Sequence, residues 1–160
     1  MKRLIGSLLV IACMVVPPAW GASLADSPLL GTWQVDVTQL PMPPEARPRQ
    51  VSARFALGDD GRLVTRVEVI DAAGAVLFAQ SELTLDGVPG PVAGNLEADT
   101  AAASMPAPNV LVMPLARGNV PGSTRIYTVA PDGKSMIETA SNFGDDGRPL
   151  MRVNHFKRVE

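Results

Sequence analysis

The sequence predicts an all-β protein, an antiparallel meander β-barrel of eight to ten strands that follows an N-terminal export signal. Two observations carry this prediction: apolar and polar residues alternate in short runs, and turn signals separate the runs at intervals of roughly 8–12 residues. The composition agrees, because 14 glycines and 15 prolines interrupt the 160-residue chain while only 4% of its residues are aromatic. Such frequent interruption favours many short segments over long helices.

The N-terminus has the layout of a secretory signal peptide. Lys2 and Arg3 precede an apolar run over residues 4–16, and prolines and small residues follow it. This order of basic, apolar and small-residue regions is typical of a cleavable signal. The run is well short of the ~20 residues that a membrane-spanning helix needs, so we expect no transmembrane span.

Small residues predict where the signal is removed. Cleavage after Ala25 fits the small-x-small requirement, and cleavage after Gly21 is the alternative. We therefore expect a signal peptide over 1–25 and a single barrel domain over 26–160, exported and most naturally periplasmic. A lipoprotein modified at Cys13 is a second alternative, because the residues before this cysteine resemble a lipobox.

Removal of the signal changes the chemistry that the chain can offer. The only cysteine leaves with it, so the mature domain has no disulfide and no thiol. The loss of Lys2 and Arg3 reduces 14 basic residues to 12 against 16 acidic ones, a formal charge of −4. That balance argues against nucleic acid as a partner, because affinity for phosphate backbones depends on clustered Lys and Arg.

The first β-patterned run, 31–37, alternates strictly and places Trp33 and Val35 on one face. A proline-rich stretch over 40–48 predicts an extended loop. The later β-patterned runs are 51–57, 63–70, 75–85, 109–117, 123–130, 135–143 and 150–159.

Two stretches between these runs are less regular. Residues 88–95 contain two prolines and are predicted to hold at most a short edge strand. Residues 98–105 are alanine-rich, and we interpret them as a thin strand rather than as one helical turn.

One turn sequence occurs twice. Leu57–Arg62 and Phe143–Arg148 both read hydrophobic-Gly-Asp-Asp-Gly-Arg. A duplicated cation-binding loop is one interpretation, but the spacing does not match the alternate-oxygen pattern of an EF-hand. We favour two hairpin turns, because Asp-Gly is a common hairpin signal.

Several segments together resemble a family of uncharacterised exported bacterial proteins. The segments are Gly31-Thr32-Trp33, Pro91-Val92-Ala93-Gly94-Asn95 with Ala98-Asp99-Thr100, Asp132-Gly133-Lys134, and the closing stretch 147–156. The resemblance covers most of residues 29–156, and the chain departs from it between Ala101 and Asn119.

That family is similar in pattern to lipocalin-like (calycin) barrels, whose first strand carries Gly-x-Trp. The resemblance implies that Trp33 closes one end of a lipocalin-like barrel and that a basic residue of the last strand covers it. Arg152, Lys157 and Arg158 are the candidates for this basic residue. The resemblance implies an architecture and no particular activity.

The sequence predicts no enzyme, no cofactor and no metal site. It lacks a Gly-x-Ser-x-Gly elbow, a His-Glu-x-x-His pair, a phosphate-binding loop and a dinucleotide fingerprint. Its one histidine, His155, shares strand parity with Val153 and would point inward on a regular strand. An inward His155 could bind haem, a metal or a ligand, but we favour a half-solvated histidine near the rim.

Alternation also predicts which residues line the barrel interior. The predicted ligand-contacting set is Trp33, Val35, Phe55, Leu57, Val67, Val69, Tyr127, Val153 and His155. Arg125 and Tyr127 share a face, and they either bind a carboxylate inside the barrel or belong to its polar exterior. The leading functional interpretation is a non-enzymatic exported barrel that binds a small apolar or amphipathic molecule in the cell envelope. The first alternative is a packed barrel that binds an unknown protein partner, and a haem- or metal-dependent enzyme is the third.

Overall fold

The computed structural model describes residues 23–144 and 146–159, and this part of the chain is all-β. The predicted signal peptide lies, up to residue 22, outside the described residues. The described strands are β1 (Gly31–Val35), β2 (Gln50–Leu57), β3 (Leu63–Ile70), β4 (Val76–Leu83), β5 (Gly90–Gly94), β6 (Thr100–Ala101), β7 (Ser104–Ala107), β8 (Val110–Arg117), β9 (Val120–Val129), β10 (Ser135–Phe143) and β11 (Pro149–Arg158). Short 3₁₀ turns cover Leu24–Asp26, Val37–Gln39 and Pro44–Ala46.

The strands close into an antiparallel barrel. Strands that follow one another in the chain pair as a meander, and β11 pairs with β1 to complete the ring. Strands β6 and β7 both pair with β8 and are two parts of one strand, interrupted at the buried Ala102 and Ala103. The described residues therefore form a closed barrel ten strands around, as the alternation predicts. The stretch 98–105 contributes strand, not a helical turn.

The barrel has two ends, which we call the base and the rim. The base consists of the segment before β1 and of the turns 58–62, 84–89, 108–109 and 130–134. The rim consists of the proline-rich loop 36–49, the turn 71–75, the loop 95–99, the turn 118–119 and the turn between β10 and β11.

Large side chains fill the base. Trp33 is 0% exposed, and its indole Nε1–H donates to the Leu29 carbonyl oxygen at 2.8 Å. Around it pack the buried side chains of Leu29, Leu63, Leu83, Leu111, Val129 and Met136. Leu24, in the first 3₁₀ turn, is buried in the same core. The base is therefore a packed hydrophobic core.

Arg158 is the basic residue that covers Trp33. Its guanidinium carbon lies 4.2 Å from the centre of the Trp33 ring. The same guanidinium donates to the Gly133 and Leu30 carbonyl oxygens at 2.7 Å each, and also to that of Pro28. Among the three residues that the sequence left open, Arg158 therefore has this position.

Strand β5 is not the edge strand that its prolines predict. It pairs with β4 on one side and with β6 on the other, over few residues on each side. Gly94 has φ 133°, and a Cβ there would lie 2.1 Å from the Phe78 carbonyl oxygen. The next residue, Asn95, accepts the Phe78 N–H through its side chain at 2.8 Å. These contacts fix the start of the rim loop 95–99.

The two copies of the repeated turn have the same hydrogen bonds. Gly58 N–H donates to the Arg62 carbonyl, and Gly144 N–H to that of Arg148, at 2.8 Å each. One oxygen of Asp60 accepts the Arg62 N–H, and one oxygen of Asp146 accepts that of Arg148. The carboxylates therefore hold turns together, which supports the hairpin interpretation.

The inward orientation that parity predicts for the odd-numbered residues of β11 is wrong. Val153 is 46% exposed and His155 faces outward, whereas Phe156 is 4% exposed and Asn154 is half-buried. Asn154 and Arg158 face inward because partners stabilise them there: Arg158 contacts Trp33 and backbone carbonyls, and Asn154 contacts a carboxylate.

Candidate functional site

The rim half of the barrel contains a partly open cavity of about 520 Å³. Its floor is the packed base, because Trp33 and the leucines around it lie below the lining residues. Most of its wall is apolar and comes from Val35, Phe55, Val67, Val69, Met113 and Leu115. Small residues contribute to this space, because Ala79 and Ala101 stand where larger side chains would narrow it.

Two rim loops cover the cavity. The proline-rich loop contributes Leu40, Met42 and Pro48 to its lining. Arg47 Nε–H donates to the Met42 carbonyl at 3.1 Å, so this loop is held by its own side chain. The loop 95–99 contributes Leu96, Glu97 and Ala98 from the other side.

One side of the cavity is polar, and a buried glutamate is at its centre. Glu138, on β10, is 3% exposed. Arg125 Nη1–H donates to its Oε1 at 2.6 Å, and Asn154 Nδ2–H donates to its Oε2 at 2.7 Å. A carboxylate without such partners would be costly to bury, so the hydrogen bonds from Arg125 and Asn154 offset the cost of burying Glu138.

Arg125 has three kinds of partner in this cluster. Besides Glu138, it donates from Nε to the Ser123 hydroxyl at 3.3 Å and from Nη2 to the Glu97 carboxylate. Burial by itself lowers the pKa of Arg125, but the carboxylates of Glu138 and Glu97 raise it above the ordinary arginine value. The guanidinium is therefore a permanent cation in the cavity wall.

Tyr127 is next to this cluster and completes the polar side. It pairs in register with Glu138 across β9 and β10, and its ring packs edge-on against Phe55, with 5.1 Å between ring centres. Burial raises the pKa of the Tyr127 phenol well above its ordinary value, and the Glu138 carboxylate raises it further. Tyr127 is thus a neutral hydroxyl at the boundary between the polar and apolar walls.

Two smaller polar features complete the lining. Thr65 and Ser81 share a hydrogen bond of 2.7 Å between their buried hydroxyls, away from the Arg125 cluster. Arg152 lines the cavity at the rim. It pairs with Ala140, and Ala140 pairs in turn with Arg125, so the two arginines flank one buried alanine. Neither feature places a charge in the apolar part of the wall.

The predicted ligand-contacting residues fall into three groups in the structure. Val35, Phe55, Val67, Val69 and Tyr127 line the cavity. Trp33 lies below it in the base, and Leu57 is 44% exposed at the base end of β2. Val153 and His155 face outward, and His155 borders a separate surface depression together with Asp36 and Lys157. The interpretations that need His155 inside the barrel therefore fail.

The prediction missed Glu138, Asn154 and Glu97. A signal for Glu138 was present, because the turn Pro131–Lys134 fixes the hairpin register and makes residue 138 the partner of Tyr127. Arg125 and Glu138 are both charged and both lie in mid-strand, and this register places them on one face. Glu97 has no such signal, because it reaches Arg125 from an irregular loop.

The described residues hold no cluster of three His, Cys, Asp or Glu side chains that could bind a metal. They also include no helix with the length and apolar character of a membrane span. No protein-family model matches the chain, and no curated protein matches it either.

Proposed function

We propose that this protein is an exported, non-enzymatic barrel that reversibly binds a small apolar or amphipathic molecule in the cell envelope. The observation that carries the proposal is the cavity of about 520 Å³ above a packed base. Sites for small molecules are concave, mostly apolar and of roughly 300–1,000 Å³, with a few polar groups that orient the ligand. A barrel that served only as a packed scaffold would fill this space with side chains, as the base does.

The distribution of polarity supports an amphipathic occupant. Val67 and Val69 lie on the apolar side, whereas Arg125, Tyr127 and Glu138 lie together on the other. Transfer of an apolar chain or ring from water to the apolar side of the cavity is favourable in free energy. A polar head group finds charged and hydroxyl partners on the second side.

A fluorescent apolar probe tests the proposal. Neutral N-phenyl-1-naphthylamine should bind the purified mature protein with enhanced fluorescence. Val67→Phe fills the cavity and should weaken binding at least about tenfold, the equivalent of ~1.4 kcal/mol. Val153→Phe adds the same ring to the outer face and is the matched control, which should bind like the wild type. Equal binding by both variants contradicts the proposal.

A protein-interaction module is the second candidate, and the outer face of β9–β11 favours it. Ile126 and Val153 flank Thr139 there, and Ile137 and Met151 are also exposed, at 43% and 70%. Exposed apolar patches often mark interaction surfaces. If this surface binds a protein partner, Val153→Lys should abolish that binding, whereas Val67→Phe should leave it intact.

A further inference from the structure

Arg125 pairs with two carboxylates of very different burial. The Glu138 side chain is 3% exposed, whereas the Glu97 side chain is 51% exposed. If Glu138 left Arg125, its buried carboxylate would lose its charged partner, which is energetically costly. Glu97 can turn into solvent at small cost, because water can solvate its half-exposed carboxylate once it leaves Arg125. One of the two positions on Arg125 is therefore permanent and the other is exchangeable.

The backbone of the rim loop does not have to move for this exchange. Arg117 donates to the carbonyl oxygens of Leu96 and Glu97, the second at 2.9 Å. Asp99 accepts the Gly118 N–H at 2.9 Å. These contacts fasten the loop to the turn between β8 and β9. Rotation of the Glu97 side chain alone would free the Arg125 Nη2 position at the cavity.

We propose that the ligand is a single-chain amphiphile with a carboxylate head group, and that Glu97 occupies the head-group position on Arg125 until the ligand replaces it. This inference rests on the cavity binding proposed above and names its ligand class. The replacement leaves Arg125 between two carboxylates, so the charge of the buried cluster does not change. The apolar chain of the ligand then lies against the apolar side of the cavity.

The surrounding charges favour an anionic head group once Glu97 has turned away. Arg125 and Glu138 then neutralise each other, and Arg152 adds a positive charge on the same wall. While Glu97 is in place, its negative charge offsets that of Arg152, so an arriving ligand carboxylate meets no net positive charge on this wall. Glu97 thus competes with anions and does not affect neutral ligands.

Substitution of Glu97 separates this competition from general cavity binding. Glu97→Gln keeps an acceptor for Arg125 but removes the charge, so carboxylates should bind about fivefold more tightly. A neutral amphiphile of the same chain length should bind equally well to both proteins. Glu45→Gln is the matched control, because Glu45 lies exposed on the proline-rich rim loop and its substitution changes the charge equally, away from Arg125.

The experiment measures displacement of N-phenyl-1-naphthylamine by dodecanoate and by dodecanol at about pH 8, where carboxylates are ionised. The inference predicts that Glu97→Gln improves dodecanoate alone and that Glu45→Gln improves neither. If dodecanol displaces the probe but Glu97→Gln does not improve dodecanoate, or Glu45→Gln improves it equally, the inference is overturned and cavity binding stands. If neither compound displaces the probe and the probe itself does not bind, cavity binding fails as well.

Discussion

The guanidinium of Arg158 lies over the indole of Trp33, with 4.2 Å between its central carbon and the ring centre. This contact joins the last strand to the first, because Trp33 and Arg158 are register partners across β1 and β11. The arginine also donates hydrogen bonds to carbonyl oxygens of the segment before β1 and of the turn before β10. One side chain therefore links three parts of the chain at the base of the barrel.

Arg158→Met should lower the free energy of unfolding by about 2–4 kcal/mol, because it removes the cation–π contact and several charge-assisted hydrogen bonds. Chemical denaturation followed by the fluorescence of Trp33 measures this change. Arg54→Met is the control, because Arg54 is exposed on the outside of β2. Equal stabilities of the two variants would contradict a closing role for Arg158.

The strands and one end of the barrel could be predicted from the sequence because their signals are local. Alternation placed Trp33 and Val35 inside, and the Asp-Gly turns placed the hairpins. The orientation of β11 could not be predicted in this way, because its apolar residues Met151 and Val153 face outward. The inward Asn154 and Arg158 are polar and are stabilised by partners on the two neighbouring strands, Asn154 by Glu138 and Arg158 by Trp33. The alternation of apolar and polar residues predicts which side chains of a strand face inward only where the barrel interior is apolar.

Substitutions of Arg125 and Glu138, which form a buried ion pair, should have strongly non-additive effects on the free energy of unfolding. Glu138→Gln leaves the buried guanidinium with only the exposed Glu97 as a carboxylate partner, and should cost about 3 kcal/mol. Arg125→Met should cost a similar amount, because it leaves the Glu138 charge unpaired. The double variant should be less destabilised than the sum of the two, and denaturation of all four proteins measures this difference. Additive effects would show that the pair does not act as a unit.

Gly94→Ala should destabilise the barrel by about 3 kcal/mol, since a Cβ there meets the Phe78 carbonyl and φ is positive. Gly87→Ala is the matched control. Gly87 also has positive φ, at 80°, but a Cβ there meets no atom within 4 Å, so we expect a loss of only about 1 kcal/mol. Thermal unfolding of both variants measures the contribution of the close approach that positions the Glu97 loop. Equal losses would show that the backbone relaxes around the added methyl group.

Tyr127 should make the protein less stable at alkaline pH, and the direction follows from its pKa. Burial and the Glu138 carboxylate raise the pKa of the native phenol well above 10. In the unfolded chain the phenol ionises near pH 10, so above that pH the unfolded state binds fewer protons than the native state. Stability therefore falls as the pH rises through this range.

Because the chain has only one tyrosine, tyrosinate absorbance reports Tyr127 alone. The native protein should show no tyrosinate until it unfolds, whereas the denatured protein should titrate near pH 10. A native titration near pH 10 without loss of structure would place Tyr127 in contact with solvent and remove it from the polar wall of the cavity.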